Sequence, residues 1–390
     1  MKSFQEAEAR REKPAARFAI VVKSLDPERG GHENYINRLI RGLLERNYQI
    51  WCFAESFGSR SIEHANLKKV KITPFKLIPS IRLLWFNYRA QRAVKNHPVD
   101  FDFVFTTGNV TFGDVYRAGG GVHATYMENC LGRLARFNPK HFTARCLQER
   151  LFLQNTPQLL ITNSAMVKED IKKRYGLSGD KLRVIRNGID LERFKPETAA
   201  ETRSEIRNQY GFDEVDFVCL FTAGGGGRKG LQELLKAFTR IRKTKIKLLV
   251  VGRTNEAKLN QTLREFGLEE RVIYAGFQPK IEQYYGAADC FVFPSKYDAA
   301  ANVVCEALAC GLPVISTATN GSSELIEAGR NGYVIEHAND YEALIQNIES
   351  LEKCEDFSKM REAALETGRG YSMERHIQNI EATMGEYLDR

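Results

Sequence analysis

Metal ligands and disulfide partners are sparse in this chain. Its eight cysteines are scattered over 390 residues without a Cys-x-x-Cys pair, and its seven histidines follow no ligand spacing. Structural zinc sites need such clusters, so we expect no metal site. Cysteines without a pairing pattern also favour reduced thiols in a cytosolic setting over disulfide bridges.

Long apolar runs are equally absent. No stretch approaches the ~18–20 residues that a membrane-spanning helix needs, and no signal-peptide pattern precedes the first apolar run. The content of 43% apolar and 27% charged residues is ordinary for a soluble globular protein, and 390 residues suffice for two domains. We therefore expect a cytoplasmic protein without a membrane span.

Acidic residues are in the minority, which leaves a formal net charge of +8 at pH 7. A basic balance suits nucleic acid, an anionic membrane or a phosphorylated substrate as partner. No recognised nucleic-acid-binding motif is present, so we expect no nucleic-acid partner.

Strand-like apolar runs alternate with helical patterns along the whole chain, which indicates α/β structure with doubly wound parallel sheets. The alternation restarts after Asn187-Gly188, whose turn chemistry marks a boundary. We therefore predict a first domain over residues 1–190, a second over 191–370, and a closing helical segment over 371–390.

Two glycine-rich turns precede predicted helices. Gly30 and Gly31 follow the first strand, and residues 223–230 combine four consecutive glycines with Arg228 and Lys229. Flexible backbone, two cations and a helix N-terminus suit a bound phosphate group. The second turn lacks the Ser or Thr that follows the lysine of a P-loop. The alternatives are a plain tight turn and a flexible loop with solvated charges.

A later strand–helix–strand unit contains Asp298 and Glu306, eight positions apart. The pattern predicts a helix over 299–309 with both acids on roughly one face, about 12 Å apart along its axis. Because a helix N-terminus attracts anions, a diphosphate near Asn302 would have a hydrogen-bond acceptor on either side for hydroxyl groups. That arrangement suits a nucleotide sugar.

Two segments of the first half, residues 77–97 and 126–152, are basic and aromatic. The second contains Arg133, Arg136 and Arg145. A basic face with aromatic side chains suits an anionic bilayer surface. The alternative is a helix that packs its apolar side on the sheet and leaves its basic side solvated.

A polar run lies between these two segments. Asp114 begins a short strand that leads into three glycines and then His123. Such a run is a plausible floor for a binding site. His123 is a candidate for contact with the donor sugar or the acceptor, and Asp114 is a second polar candidate.

The turn Arg228-Lys229-Gly230, the acid pair up to Pro313 and the Asn187-Gly188 junction follow one another in a distinctive order. In that order they resemble retaining glycosyltransferases of family 4, and in particular the bacterial lipopolysaccharide core glucosyltransferase I group. The family usually has Glu at the position of Asp298 and often Gly at that of Ala301.

The resemblance implies two Rossmann-like domains that face a cleft, the GT-B fold, with a C-terminal helix that crosses back to the first domain. It implies metal-independent retaining transfer of a hexose, with no cofactor, from a UDP-sugar to a glycan or glycolipid acceptor such as lipopolysaccharide core. It also implies a peripheral position on the cytoplasmic face of an anionic membrane.

The resemblance and the residue patterns together suggest roles for individual side chains. The expected catalytic residues are Arg228, Lys229, Asp298 and His123. The expected donor-binding residues are Gly30, Gly31, Glu306, Asn302, Ala301, Gln278 and Glu324. The expected acceptor- and membrane-contacting residues are Asp114, Arg133, Arg136 and Arg145.

Two other functions are compatible with the same pattern. A nucleotide-sugar epimerase shares the two-domain fold and would need no acceptor. A non-catalytic, membrane-associated module would bind the nucleotide sugar without turnover. The sequence leaves the donor sugar, the acceptor and the oligomeric state open.

Overall fold

The computed structural model describes residues 16–27, 30–75, 78–153, 157–224 and 226–388. They form two α/β lobes, each built on a fully parallel sheet. We call the lobe with the seven-stranded sheet the N-lobe and the lobe with the six-stranded sheet the C-lobe. A separate pair of short parallel strands, Ser24–Leu25 and Ser56–Phe57, lies at the edge of the N-lobe.

The N-lobe sheet has the strand order β5-β3-β1-β6-β7-β8-β9, and β2 and β4 form the separate pair. Its strands are β1 (Arg17–Val21), β2 (Ser24–Leu25), β3 (Gln49–Ala54), β4 (Ser56–Phe57), β5 (Leu67–Lys71), β6 (Phe103–Thr107), β7 (Val115–Arg117), β8 (Leu159–Thr162) and β9 (Leu182–Val184). Its helices are α1 (Gly31–Leu44), α2 (Pro79–Lys95), α3 (His123–Cys130), α4 (Pro139–Leu153) and α5 (Ala165–Tyr175). Short 3-10 turns cover Arg133–Phe137 and Gly179–Lys181.

The C-lobe sheet has the order β12-β11-β10-β13-β14-β15. Its strands are β10 (Phe217–Ala223), β11 (Ile246–Gly252), β12 (Val272–Gly276), β13 (Cys290–Phe293), β14 (Val314–Thr317) and β15 (Gly332–Ile335). Its helices are α6 (Pro196–Glu201), α7 (Arg203–Gln209), α8 (Leu231–Phe238), α9 (Glu256–Phe266), α10 (Ile281–Ala287), α11 (Asn302–Ala309), α12 (Tyr341–Glu352) and α13 (Phe357–Arg369). The order reverses between β10 and β13, as in the doubly wound Rossmann fold.

The central strands are apolar on both faces because helices cover both sides of each sheet. All four residues of β13, Cys-Phe-Val-Phe, are fully buried, and their neighbours on β10 and β14 are buried too. The predicted fold class, two doubly wound parallel-sheet domains, is therefore confirmed.

The last helix, α14 (Met373–Leu388), crosses back from the C-lobe to the N-lobe, as predicted. Ile377, Ile380 and Met384 pack into the apolar cluster between α1 and the N-lobe sheet. This docking buries one apolar stripe of the helix against a lobe that is distant in sequence.

The two chain segments that connect the lobes lie side by side. The Ile189 N–H donates to the Tyr371 carbonyl at 2.8 Å, and the Met373 N–H donates to the Ile189 carbonyl at 2.9 Å. A Cβ on Gly188 would lie 2.6 Å from the Met373 Cα, so only glycine fits this crossing. Close packing of the two connecting segments therefore requires the glycine of the Asn187-Gly188 motif. The domain boundary at residue 190 stays a prediction.

A buried histidine anchors α14 to the N-lobe. His376 is 3% exposed, and its Nδ1 donates to the Arg186 carbonyl at 2.6 Å. Its Nε2 then accepts a hydrogen bond from the Tyr35 hydroxyl at 2.9 Å. Burial lowers the pKa of His376 from 6.5 to about 4, and the charge of Arg117 acts in the same direction. The ring is therefore neutral at pH 7, as this hydrogen-bond arrangement requires.

No helix among the described residues combines the length and apolar character needed to cross a membrane.

The pKa of His376 predicts how the docking of α14 depends on pH. Because the folded-state pKa lies below the unfolded value, the stabilisation is complete above about pH 6.5 and is lost as the pH falls towards 4. The wild type should be more stable than His376→Gln at pH 7, and the gap should shrink by roughly 3 kcal/mol by pH 4. Urea unfolding across this range measures the gap. His337→Gln, at an exposed position, is the control, and a gap that does not change with pH would contradict the assignment.

Candidate functional site

The loops that follow β10 and β13 meet where the C-lobe strand order reverses. In open α/β sheets, ligands bind at this point, beyond the carboxyl ends of the strands. The loop after β10 contains the predicted Arg–Lys turn, and the loop after β13 contains Asp298. The fold therefore brings together two motifs that lie about 70 positions apart in the sequence.

The Arg–Lys turn is a 3-10 turn, Gly226–Lys229, directly before α8. Arg228 Nη1 donates to the Asp298 Oδ2 at 2.6 Å and to the Tyr297 carbonyl at 3.0 Å. In return, the Lys296 N–H donates to the Arg228 carbonyl at 2.8 Å. The two loops are thus joined by both backbone and side-chain bonds.

Gly230 allows the two loops to approach this closely. Its φ is +86°, and a Cβ at this position would lie 1.8 Å from the Pro294 carbonyl oxygen. A side chain would therefore be strained by both the backbone conformation and the contact. The glycine of the Arg-Lys-Gly motif is required by the packing of the turn after β10 against the end of β13.

Lys229 is half-buried beside the same turn, and its Nζ lies 5.5 Å from the centre of the Phe293 ring. Within the described part of the chain, its ammonium forms no ion pair. Burial lowers its pKa, and the charges of Asp298 and Glu306 oppose this. Asp298 is bound to Arg228, so one cation of the pair has no carboxylate partner.

Asp298 lies outside the helix, which corrects the sequence prediction. Helix α11 begins at Asn302, three residues later than predicted. Asp298 forms a bridge to Asn320, and the Asn320 Oδ1 accepts the Ala301 N–H at 3.3 Å, which holds the preceding residues extended. Asp298 and Glu306 therefore do not share a helical face. Asp298 points to Arg228 instead.

Glu306 lies within α11 and is half-buried. The Tyr285 hydroxyl donates to its Oε2 at 3.0 Å. Burial raises the pKa of the Glu306 carboxyl, and the bond from Tyr285 opposes the effect. The Asn302 side chain and the Ala301 backbone form the N-terminus of the same helix, so these three predicted donor-binding residues lie on one element.

The N-lobe contributes a glycine turn and a glycine loop. Gly30 and Gly31 lie where α1 begins, as predicted, at the carboxyl end of β1. His123 is the first residue of α3, and its N–H donates to the Gln148 Oε1 at 2.6 Å. Its ring stacks on His141 with centres 5.3 Å apart, and burial lowers the pKa of His123 to about 4. His123 is therefore neutral at pH 7.

The glycine loop before His123 touches the C-lobe. The Val122 N–H donates to the Tyr297 hydroxyl at 3.0 Å. Further along, the Ser164 hydroxyl donates to the Ala299 carbonyl at 2.7 Å. The segment that contains Asp298 therefore packs directly against the N-lobe.

Asp114 is not an acceptor residue, and the structure corrects this prediction. It precedes β7 and so lies at the amino end of the sheet, opposite to the edge that carries the site. Its Oδ2 accepts the Val104 N–H at 2.8 Å, and its Oδ1 accepts the Tyr387 hydroxyl at 2.8 Å. Its carboxylate ties the sheet to α14.

Glu324 is also engaged elsewhere than predicted. Its Oε2 and Oε1 accept the N–H groups of Ala165 and Met166 at 3.0 and 2.6 Å, at the N-terminus of α5. Arg186 pairs with the same carboxylate at 2.5 Å. Glu324 therefore caps an N-lobe helix from the C-lobe, and both its oxygens are occupied by protein donors. This corrects its assignment to the donor sugar.

Gln278 follows the edge strand β12, and its Nε2 donates to the Ala275 carbonyl at 2.6 Å. Contact between Gln278 and the base of the nucleotide donor stays a prediction. Sequence reasoning missed the neighbouring pair, in which the Arg253 guanidinium lies 4.3 Å from the centre of the Phe277 ring. Phe277 is 58% exposed. Only the strand order shows that the ends of β11 and β12 bring these two residues together.

The basic and aromatic segments form adjacent helices. Leu83 of α2 packs with Ala144 and Leu147 of α4. Large apolar side chains on the two helices and the turn between them remain exposed; these are Ile81, Leu84, Tyr88, Leu134, Phe137 and Phe142. Arg145 pairs with Glu149 at 3.3 Å. The side chains of Arg133 and Arg136 lie outside the described part.

Across the ranges that the structure describes, no group of three or more His, Cys, Asp or Glu residues could hold a metal ion.

Known protein families match both halves of the chain. Residues 202–370 match the model of group 1 glycosyl transferases, and residues 29–193 match the model of glycosyltransferase family 4. A probable transglycosylase of Burkholderia thailandensis is 30% identical over 297 residues, which is 76% of this chain and 76% of that protein. The lipopolysaccharide glucosyltransferase WaaG of Escherichia coli is 25% identical over 287 residues, 72% of this chain and 75% of that protein.

Solved structures share the fold. A crystal structure of WaaG matches with a TM-score of 0.80 and 20% identity, covering 93% of this chain and 98% of that one. The Anabaena protein HepE, in complex with UDP and glucose, matches with a TM-score of 0.72 and 19% identity over 94% and 99% of the two chains. Fold, site and relatives define a glycosyltransferase. The chain belongs to glycosyltransferase family 4, with the GT-B fold, as the sequence resemblance implied.

The contacts of Glu324 predict that it stabilises the closed arrangement of the lobes. Glu324→Ala removes the acceptor of two helix N–H groups and the partner of Arg186, so the free energy of unfolding should fall by about 1–2 kcal/mol. The radius of gyration from X-ray scattering should increase. Glu327→Ala, which loses only an exposed pair with Arg330, is the matched control. If both variants behave alike, Glu324 does not hold the lobes.

Proposed function

We propose that this glycosyltransferase is a retaining, metal-independent enzyme that transfers a hexose, glucose or a related sugar, from a UDP-sugar to a membrane-linked glycan such as lipopolysaccharide core. The observation that carries the proposal is the cation excess at the switch point. Beside the N-terminus of α11, Asp298 forms an ion pair with Arg228, and among the described residues no carboxylate forms one with Lys229. A diphosphate at this position would supply the missing negative charge.

The chemistry that follows is mainly electrostatic. As the bond between the sugar and the diphosphate breaks, negative charge grows on the leaving phosphate. Lys229, Arg228 and the free N–H groups of α11 stabilise that charge because they are already oriented and partly shielded from water. In this proposal Glu306 accepts hydrogen bonds from the ribose hydroxyls, and Asp298 faces the donor sugar from its ion pair with Arg228.

Retention without a positioned carboxylate nucleophile requires attack on the same face of the sugar that the diphosphate leaves. The carboxylate nucleophile of a retaining glycosidase is one of two acids about 5–5.5 Å apart. The Asp298 carboxylate forms an ion pair with Arg228. Glu306 lies inside α11, where its carboxylate accepts a hydrogen bond from Tyr285. The proposal therefore has the acceptor hydroxyl attack from the face that the diphosphate leaves, with the phosphate oxygen as the group that takes its proton.

The base and the acceptor have separate places in the proposal. The Arg253–Phe277 pair offers an exposed flat surface at the carboxyl ends of β11 and β12, on which a uracil ring could stack. His123 lies on the N-lobe side, where the acceptor would enter. Its neutral ring can take part in a hydrogen bond at pH 7.

The N-lobe face made by α2 and α4 would hold the enzyme on an anionic membrane at the cytoplasmic face. It combines exposed apolar side chains, such as Leu134 at 81% and Phe137 at 68%, with arginines and a lysine. Apolar side chains insert among the lipid headgroups, while the basic side chains bind anionic lipids. The WaaG relatives act on lipopolysaccharide by name, which supports a glycolipid acceptor.

Lys229→Ala tests the phosphate role. Removing an oriented cation from the leaving group should lower the turnover number about 10²–10³-fold, while the protein stays folded. The assay follows UDP release from UDP-glucose in the presence of lipopolysaccharide core acceptor. Lys236→Ala, an exposed lysine on α8, is the control. Near-normal turnover in Lys229→Ala would remove the phosphate assignment, and an epimerised sugar without acceptor would favour the epimerase alternative.

Membrane binding is tested on the basic segment. Replacing Arg133, Arg136 and Arg145 by Ala should weaken binding to vesicles that contain an anionic lipid, and the difference should shrink as salt is raised. Each arginine lost near the membrane surface should weaken the free energy of vesicle binding by about 1 kcal/mol. The control triple on the C-lobe is Lys258, Arg264 and Lys353 replaced by Ala. Equal vesicle binding by the two triple variants in flotation assays would contradict the membrane role, and the segment would then be an ordinary solvated surface.

A further inference from the structure

Arg117 is a buried cation without an acidic partner. It ends β7 and is 1% exposed. Its guanidinium carbon lies 3.7 Å from the centre of the Tyr35 ring. Within the described residues it forms no ion pair, and its Nε has no hydrogen-bond partner. A buried charge in this state is costly, because neither a counter-ion nor a full set of hydrogen bonds offsets its loss of hydration.

The guanidinium begins a chain of hydrogen bonds between the lobes. Arg117 Nη2 donates to the Asn187 Oδ1. Asn187 Nδ2 donates to the Asn302 Oδ1 at 2.6 Å. Arg117 belongs to the N-lobe, Asn187 to the junction, and Asn302 is the first residue of α11.

The direction of this chain is fixed at its start. Arginine has only donors, whereas an asparagine amide can present either its oxygen or its nitrogen. Arg117 therefore requires the oxygen of Asn187, which turns the nitrogen of Asn187 to Asn302. The oxygen of Asn302 is in turn occupied. Its Nδ2, with two N–H groups, donates to no protein acceptor among the described residues and remains available at the N-terminus of α11.

We propose that Arg117 is a positioning residue, which acts through Asn187 to turn the Asn302 amide so that it presents donors, and not its oxygen, to the pyrophosphate of the nucleotide donor. The inference rests on the proposed function, because it needs an anion at the N-terminus of α11. It goes further in two respects. It gives the side chain of Asn302 a direction, and it makes an N-lobe residue a determinant of affinity for a ligand held by the C-lobe.

Loss of Arg117 should remove the constraint on the orientation of the Asn187 and Asn302 amides. In Arg117→Met the volume is similar and the donor is gone, so both amides are free to flip. Asn302 then presents its oxygen to the phosphate part of the time. Because the amide still adopts the donor orientation for part of the time, the Kd for UDP should rise about threefold, in inverse proportion to that fraction. Asn302→Ala removes the donor itself, and because a hydrogen bond to a charged group is among the stronger ones, the Kd of this variant should rise about tenfold.

A double-mutant cycle separates this role from a general effect of charge or folding. If Arg117 acts through Asn302, the double variant should bind UDP about tenfold more weakly than the wild type, as Asn302→Ala alone does. Tyr35→Phe is the control for the surroundings of Arg117, since it keeps the ring over Arg117 and removes the hydroxyl that bonds to His376. Calorimetric titration with UDP measures all five proteins, and urea unfolding checks that each is folded.

The outcomes are distinct. A loss of about thirtyfold in the double variant, the product of two independent effects, or an unchanged Kd in Arg117→Met, would overturn the positioning role while the proposed function stands. Failure of the wild type to bind UDP would remove both. If Arg117→Met does not fold, Asn187→Ala interrupts the same chain in its middle and takes its place in the cycle.

Discussion

The ion pair between Arg228 and Asp298 is the contact on which the site depends. It joins the turn after β10 to the turn after β13. The two turns also pack closely where Gly230 contacts Pro294, with no room for a side chain at Gly230. Because Asp298 is shared with Arg228, the charge of Lys229 is not compensated within the described protein. The local excess of positive charge beside a helix N-terminus follows directly, and the proposed diphosphate site rests on this excess.

The same segment also joins the lobes. Tyr297 and Ala299, on either side of Asp298, bond to the glycine loop and to Ser164 of the N-lobe. A displacement of one lobe would therefore move the residues that flank the proposed donor site. The lobe position and the geometry of that site are coupled through the three residues from Tyr297 to Ala299.

Sequence patterns predicted the local features well and the long-range ones poorly. The Arg–Lys turn and the strands depend on contiguous residues, and each was found, whereas the crossing of the last helix was implied by the family resemblance. The start of α11 was missed because Asn320, about twenty positions away, holds the preceding residues extended. Asp114 was misassigned because sequence proximity to a glycine loop does not reveal at which end of a strand a residue lies. The Arg253–Phe277 pair required knowledge of the strand order.

The lobes divide the physical tasks of transfer between them. The uncompensated cation and the ordered helix N-terminus belong to the C-lobe, whereas the exposed apolar and basic face belongs to the N-lobe. In the proposed function, a charged soluble donor and a lipid-bound acceptor would place opposite demands on a surface, since one needs a shielded polar pocket and the other an open amphipathic face. Separate lobes would then confine the proposed reaction to the cleft between them, where Val122 and Tyr297 bring the two sides into hydrogen-bond contact.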